Sequence, residues 1–240
     1  MKKRLATILL AGGAAGAVLA MSAPAAVAAT PTWSSTPGGA FTSATNAGTT
    51  TVLKDLKTGS TITCTTSAAN GALKKGHKLP GAGIGLITAV TFGTTASKCK
   101  GPFGSTWTSV GSATPKSPWL LNAKTYKGSV DKGQTAGTIT HAGTGVGATL
   151  HGSVLGANCT ANVGGTTKAP ALANVLYDNG SGLLAVTSTA NLKILSTNCP
   201  GISAGDAVTF VTSPASSAGK TVSHGYAVKT KNGKETITSP

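Results

Sequence analysis

Thr50-Thr51-Val52-Leu53-Lys54-Asp55-Leu56-Lys57-Thr58-Gly59-Ser60-Thr61-Ile62-Thr63-Cys64 is the stretch that decides the fold class. Val52 to Leu56 and Thr61 to Cys64 are short runs rich in β-branched residues, and the polar Lys57-Thr58-Gly59-Ser60 between them reads as a tight turn. The result is strand, turn, strand. The same pattern recurs outward at Ile84 to Phe92, Thr106 to Val110, Trp119 to Tyr126, Gly137 to His141, Ala148 to Val154 and Ala173 to Tyr177. It continues at Leu183 to Ser188, Leu192 to Leu195, Ala207 to Val211 and Thr221 to Lys229. Clusters of Gly, Pro, Asn and Asp separate these runs, and Asp178-Asn179-Gly180-Ser181-Gly182 is the clearest hairpin turn. No 3.6-residue apolar period occurs after residue 29. The expected fold of residues 50–240 is therefore all-β and antiparallel, a sandwich or a barrel.

Upstream, Met1-Lys2-Lys3-Arg4 precedes an apolar run from Leu5 to Leu19 and then small residues from Ala20 to Ala29. A basic head, an apolar middle and a small-residue end predict a secretory signal over 1–29, cut after Ala28 or Ala29. Pro24 and the alanines stop the apolar run short of the ~20 residues of a bilayer span. There is no twin arginine, and no cysteine follows to accept a lipid, so export by the general route without a transmembrane span is expected. Residues 30–49 are Ser, Thr, Gly and Pro with Trp33 and Phe41 set among them, and read as an extended leader or an added edge strand.

Beyond residue 29 the chain keeps 17 lysines, no arginine and five acids. A protein that reads base edges or clamps phosphates uses the planar guanidinium, so specific nucleic-acid recognition is not expected. Non-specific attraction to polyanions is, because lysine supplies point charge. Leu, Ile, Val and Phe make up 39 of these 211 residues. So thin a core calls for extra restraint, and Cys64, Cys99, Cys159 and Cys199 can supply it. An even cysteine count in an exported chain reads as disulfides. Gaps of 35, 60 and 40 residues leave no close pair for zinc.

The two halves echo one another. Cys64-Thr65-Thr66 and Cys159-Thr160-Ala161 lie 95 apart, Gly85-Leu86-Ile87 and Gly182-Leu183-Leu184 lie 97 apart, and Cys99-Lys100-Gly101 and Cys199-Pro200-Gly201 lie 100 apart. Two pseudo-repeats, each with its own bridge, would pair Cys64 with Cys99 and Cys159 with Cys199.

Thr61-Ile62-Thr63-Cys64, Gly83-Ile84-Gly85 with Ile87-Thr88 and Val90-Thr91-Phe92, Cys99 with Gly101-Pro102, Pro118-Trp119 with Leu121-Asn122-Ala123 and Tyr126, and the closing Thr236-Ile237-Thr238-Ser239-Pro240 together resemble a group of secreted actinomycete all-β proteins with two cysteine pairs. The resemblance spans most of residues 50–240. It implies a small exported β-protein, and it carries over no functional residue because the group has no established activity. The stretch from Thr140-His141 to His151-Gly152 is longer here than in the group.

Four constellations can be weighed for chemistry. Gly201-Ile202-Ser203-Ala204-Gly205, with Asp206 and His224 following, has the residue order of a hydrolase triad, but a nucleophile elbow needs a helix after the serine, and Ala207 to Val211 reads as a strand. His141 and His151 would face one another if a hairpin turned about Val146, yet two ligands fall short of a zinc site. Among the carboxylates, Asp55, Asp131, Asp178, Asp206 and Glu235, a dyad from Asp131 and Asp206 is the candidate for glycoside hydrolysis. Trp107, Trp119 and Tyr126 could form a sugar-stacking platform, but large aromatics in a core this thin read rather as its packing centre. No metal, cofactor or catalytic residue is expected. The leading reading is a non-catalytic protein of the envelope or extracellular space that binds anionic cell-wall polymers through lysines. A secreted hydrolase or a carbohydrate-binding module is the alternative.

Overall fold

The computed structural model describes residues 31–129 and 133–240, so the expected signal segment and Asp131 lie outside the described residues. The first ten strands are β1 (Thr32–Thr36), β2 (Gly39–Thr45), β3 (Thr50–Asp55), β4 (Thr61–Cys64), β5 (Ser67–Leu73), β6 (Gly76–Pro80), β7 (Gly85–Phe92), β8 (Cys99–Lys100), β9 (Thr106–Gly111) and β10 (Trp119–Lys127). The next ten are β11 (Gln134–Thr140), β12 (Ala148–Val154), β13 (Ala157–Gly164), β14 (Leu172–Asp178), β15 (Leu183–Ala190), β16 (Lys193–Thr197), β17 (Val208–Ser213), β18 (Tyr226–Thr230), β19 (Gly233–Lys234) and β20 (Thr236–Thr238). The only helical element among the described residues is one 3-10 turn at Pro102–Gly104.

Eight strands close an antiparallel barrel. Its staves run β2, β5, β7, β10, β11, β14, β15, β18 and back to β2. A second ring of antiparallel pairings runs β17, β3, β4, β8, β9, β12, β13, β16 and returns to β17 through the bridge Lys193↔Ala207. The rings meet at β7, which pairs with β10 at its start and with β9 at its end. They meet again where Phe210 N donates to Thr189 Oγ1 at 3.0 Å and Thr212 Oγ1 donates to the Val186 carbonyl at 3.1 Å. A three-stranded sheet, β20–β1–β6, lies at the barrel's other end. There Thr135 Oγ1 and Asn179 Nδ2 both donate to the Ile237 carbonyl at 2.9 Å.

The pairing scheme maps onto itself when the halves are exchanged. β2–β5–β7–β10 repeats as β11–β14–β15–β18, and β3–β4–β8 repeats as β12–β13–β16. The pairs between halves exchange as well, β10–β11 with β18–β2 and β9–β12 with β17–β3. Cys64 is bonded to Cys99, and Cys159 to Cys199. All four cysteines belong to the second ring and its loops.

One hydrophobic cluster fills both rings, and Phe41, Trp107, Trp119, Tyr177 and Tyr226 supply its bulk. It lines a mainly apolar cavity of about 120 Å³. Residues 31–49 differ from the expected leader or added edge strand. β2 is a stave of the barrel, and Trp33 and Phe41 are buried. The compact unit accordingly begins at Pro31.

Candidate functional surface

The hydrolase triad does not assemble. Ser203 lies on the exposed loop before β17, where its carbonyl accepts from Asp206 N at 3.2 Å. His224 lies beyond the other end of β17. Val208 is opposite Asp55 and Ser213 is opposite Thr50, and His224 Nε2 packs over Gly48 on the Thr50 side. Six strand residues at ~3.3 Å each put roughly 17 to 20 Å between serine and imidazole. Asp206 meanwhile accepts from Lys57 Nζ at 3.1 Å, the one ion pair among the described residues.

The hairpin about Val146 does not form either. β11 pairs with β10 and β14, while β12 pairs with β9 and β13. The segment between them crosses from barrel to second ring, which carries His141 and His151 apart. His141 Nε2 bonds Ser117 Oγ at 2.8 Å, and His151 stands exposed between Thr108 and Thr160. Among the described residues no group of three or more His, Cys, Asp or Glu could hold a metal ion. The tryptophans form no exposed platform. Trp33, Trp107 and Trp119 are all buried; Trp107 Nε1 donates to Ser105 Oγ at 2.7 Å and Trp119 Nε1 to Ser112 Oγ at 3.1 Å. These two indoles thus have their polar edges satisfied inside the protein.

The carboxylates explain what the surface is. Asp55 is 4% exposed, Asp178 0%, Asp206 7% and Glu235 0%. Each organises the chain around it. Asp55 Oδ1 accepts Lys57 N at 2.8 Å and Thr58 N at 3.2 Å, shaping the β3–β4 turn. Asp178 accepts Gly180 N, Ser181 N, Val222 N and the Gln134 amide between 2.8 and 3.2 Å. Burial pushes its carboxyl upward, yet these donors outweigh it and hold the group below its usual range. Glu235 accepts Ser35 Oγ at 2.7 Å and Gly38 N at 2.9 Å, tying β20 to the start of the chain's fold. Its own carbonyl accepts the Tyr177 hydroxyl at 2.6 Å. Burial, reinforced by Glu235 and Asp178, pushes the Tyr177 phenol up, and burial alone does the same to Tyr226.

The lysines are distributed in the opposite way. Of the sixteen described, fifteen are exposed and Lys193 is half buried. Among the described residues the exterior therefore carries ammonium groups and no side-chain carboxylate. Net charge shows an excess of lysine, but only burial shows that the counter-charges are hidden. On the outer face of the second ring a polar groove of about 380 Å³ crosses β9, β12 and β13. Lys98, Thr108, His151, Asn158, Thr160 and Asn198 line it. Hydroxyl, amide and imidazole groups beside one cation are equipped to hydrogen-bond a polyol and to hold an anion. The strand pattern predicts outward residues here, but the groove needs β13, a strand too rich in Ala and Asn to read from sequence.

The chain shows no significant match to any known protein family, to any curated protein or to any solved structure.

Proposed function

We propose that this is a secreted, non-catalytic protein of the envelope or extracellular space that binds anionic wall polymers through its lysines. One observation carries the reading: every described acid is buried while fifteen of the sixteen described lysines are exposed and only Lys57 is ion-paired, which favours a positive outer potential. The groove along β9, β12 and β13 gives such a polymer a track. The signal-like first 29 residues and the two disulfides are compatible with export. The two pseudo-repeats are part of the same proposal; the self-mapping strand pairings and the bridge within each half support them.

Retention on purified cell walls across a salt series tests the function. Contacts made by hydrated ammonium groups are screened over about 8 Å at physiological ionic strength, so retention at low salt should vanish at high salt. Retention that ignores salt would replace the charge reading with specific sugar recognition. No retention at low salt would leave the lysines only a solubility role.

A further inference from the structure

The loops at the free end of the second ring share a property that the fold does not require. Going round the ring, the β3–β4 turn carries Leu56, the β8–β9 loop carries Phe103, and the β12–β13 turn carries Leu155, with exposures of 57%, 72% and 83%. Registers Lys54↔Thr61, Lys100↔Thr106, Ser153↔Thr106 and Ser153↔Asn158 hold these three loops level at one end. Two strand spacings separate neighbouring loops, about 10 Å. The fourth loop at this end, between β16 and β17, brings Gly201 against the Phe103 ring.

Phe103 and Leu155 also adopt φ of 55° and 50°. That left-handed region penalises a side chain with a Cβ, and turns that need it normally use Gly, Asn or Asp. Large apolar groups are thus placed where the backbone disfavours them and water surrounds them. Nothing in the packing demands it, since the turn at Pro102–Gly104 contains no buried residue.

We propose that this end of the molecule docks on an anionic lipid bilayer, with Leu56, Phe103 and Leu155 entering the boundary between headgroups and acyl chains. Exposed Lys54 and Lys100 stand beside the tips, where anionic headgroups would meet them, while Lys57 is paired with Asp206, and the acids of this end, Asp55 and Asp206, are buried. Three separated tips suit a fluid that closes around each. A second copy of the chain is a poorer fit, because three side chains at ~150 Å² each fall short of the ~800 Å² per partner of a stable interface. The proposal shares its charge with the wall-polymer reading and owes its apolar tips to nothing in that reading.

The test is flotation of the full secreted chain with phosphatidylcholine vesicles containing phosphatidylglycerol. The parent should float, and the double variant Phe103→Asn/Leu155→Asn should lose affinity more than tenfold, at about tenfold per buried apolar side chain. Asn tolerates the left-handed backbone, so thermal stability should be unchanged or raised. Retention on cell walls should be unchanged. The single variant Phe103→Trp should shift its emission to the blue on vesicle addition. Failure of the parent to float, equal flotation by the double variant, an unshifted emission spectrum for Phe103→Trp, or a concentration-dependent dimer that the double variant abolishes would each overturn the proposal. Loss of wall retention with flotation intact would sink the wall reading alone.

Discussion

The two rings are held closed by different means. The barrel closes mainly on long ladders, such as the seven residue pairs joining β10 to β11 and the seven joining β5 to β7. Its interior is filled by aromatic side chains, and it contains no disulfide. The second ring has two weak seams. β4 meets β8 at the single pair Thr63↔Lys100, and β16 meets β17 at the single bridge Lys193↔Ala207. Both disulfides are spent on this ring, and Cys64–Cys99 lies directly on the β4–β8 seam. At the β4–β8 seam, where backbone pairing is a single pair, the covalent bridge substitutes for it. The difference teaches that a thin core can still close sixteen strands when a cross-link holds a seam that the backbone joins by a single pair.

Breaking the seam should have the largest effect. Cys64→Ser with Cys99→Ser removes a 35-residue cross-link, and on the loop-entropy view it should destabilise by about 4 kcal/mol. Hydrogen exchange should then rise first in β4, β8 and β9 while β11 and β14 stay protected. Uniform loss of protection would mean that the two rings open as one cooperative unit.

The barrel side of the comparison is exposed to overpacking instead. A Cβ at Gly71 would lie 2.0 Å from the Leu86 carbonyl oxygen and 2.7 Å from the Phe41 ring. Gly71→Ala should therefore cost about 1 to 3 kcal/mol in urea unfolding. A neutral result would show that β5 has room to move.

Acid should act on the barrel through Asp178. Its folded pKa lies below its unfolded value, so its stabilisation is present above about pH 4 and is lost as pH falls through the folded value. Asp178→Asn should lower the melting temperature at pH 7, by about 1 to 3 kcal/mol in stability, and should flatten its fall below pH 4. An unchanged acid limb would assign that limb elsewhere. At the other extreme, Tyr177 and Tyr226 are raised, so their contribution is full below about pH 10 and declines above it. Tyr226→Phe should soften that alkaline decline.

The smallest effect should come from Ser203. Ser203→Ala lies on an exposed loop and should change stability by less than about 0.5 kcal/mol, leaving wall retention as it was. An abolished hydrolytic activity in that variant would revive the triad despite its separation.

Many strands of both rings were legible in the sequence because they alternate β-branched with small residues. Ala148 to Val154 matches β12 residue for residue, and the predicted starts at Thr106, Trp119 and Leu183 are the observed ones. β5 was hidden, because Ser67-Ala68-Ala69-Asn70-Gly71-Ala72-Leu73 has no β-branched residue at all. Its smallness makes room for the Phe41 ring, a requirement set by a strand distant in sequence. β2 was hidden for the converse reason: Phe41 is a lone aromatic in a polar stretch, and nothing local says that it points inward. The surface was the least legible part. Composition reports seventeen lysines beyond residue 29, whereas burying the acids is a property of turns such as Asp178-Asn179-Gly180 and of long-range contacts such as Glu235 to Ser35.

An exterior whose described charges come from amines has a flat electrostatic titration. Mixed surfaces grow more positive as pH falls through 4, when exposed carboxylates take up protons, and this one has none among the described residues to protonate. Electrophoretic mobility should accordingly show no step from side-chain carboxylates as pH falls through 4, and mild amine acylation should lower the mobility without reaching the interior.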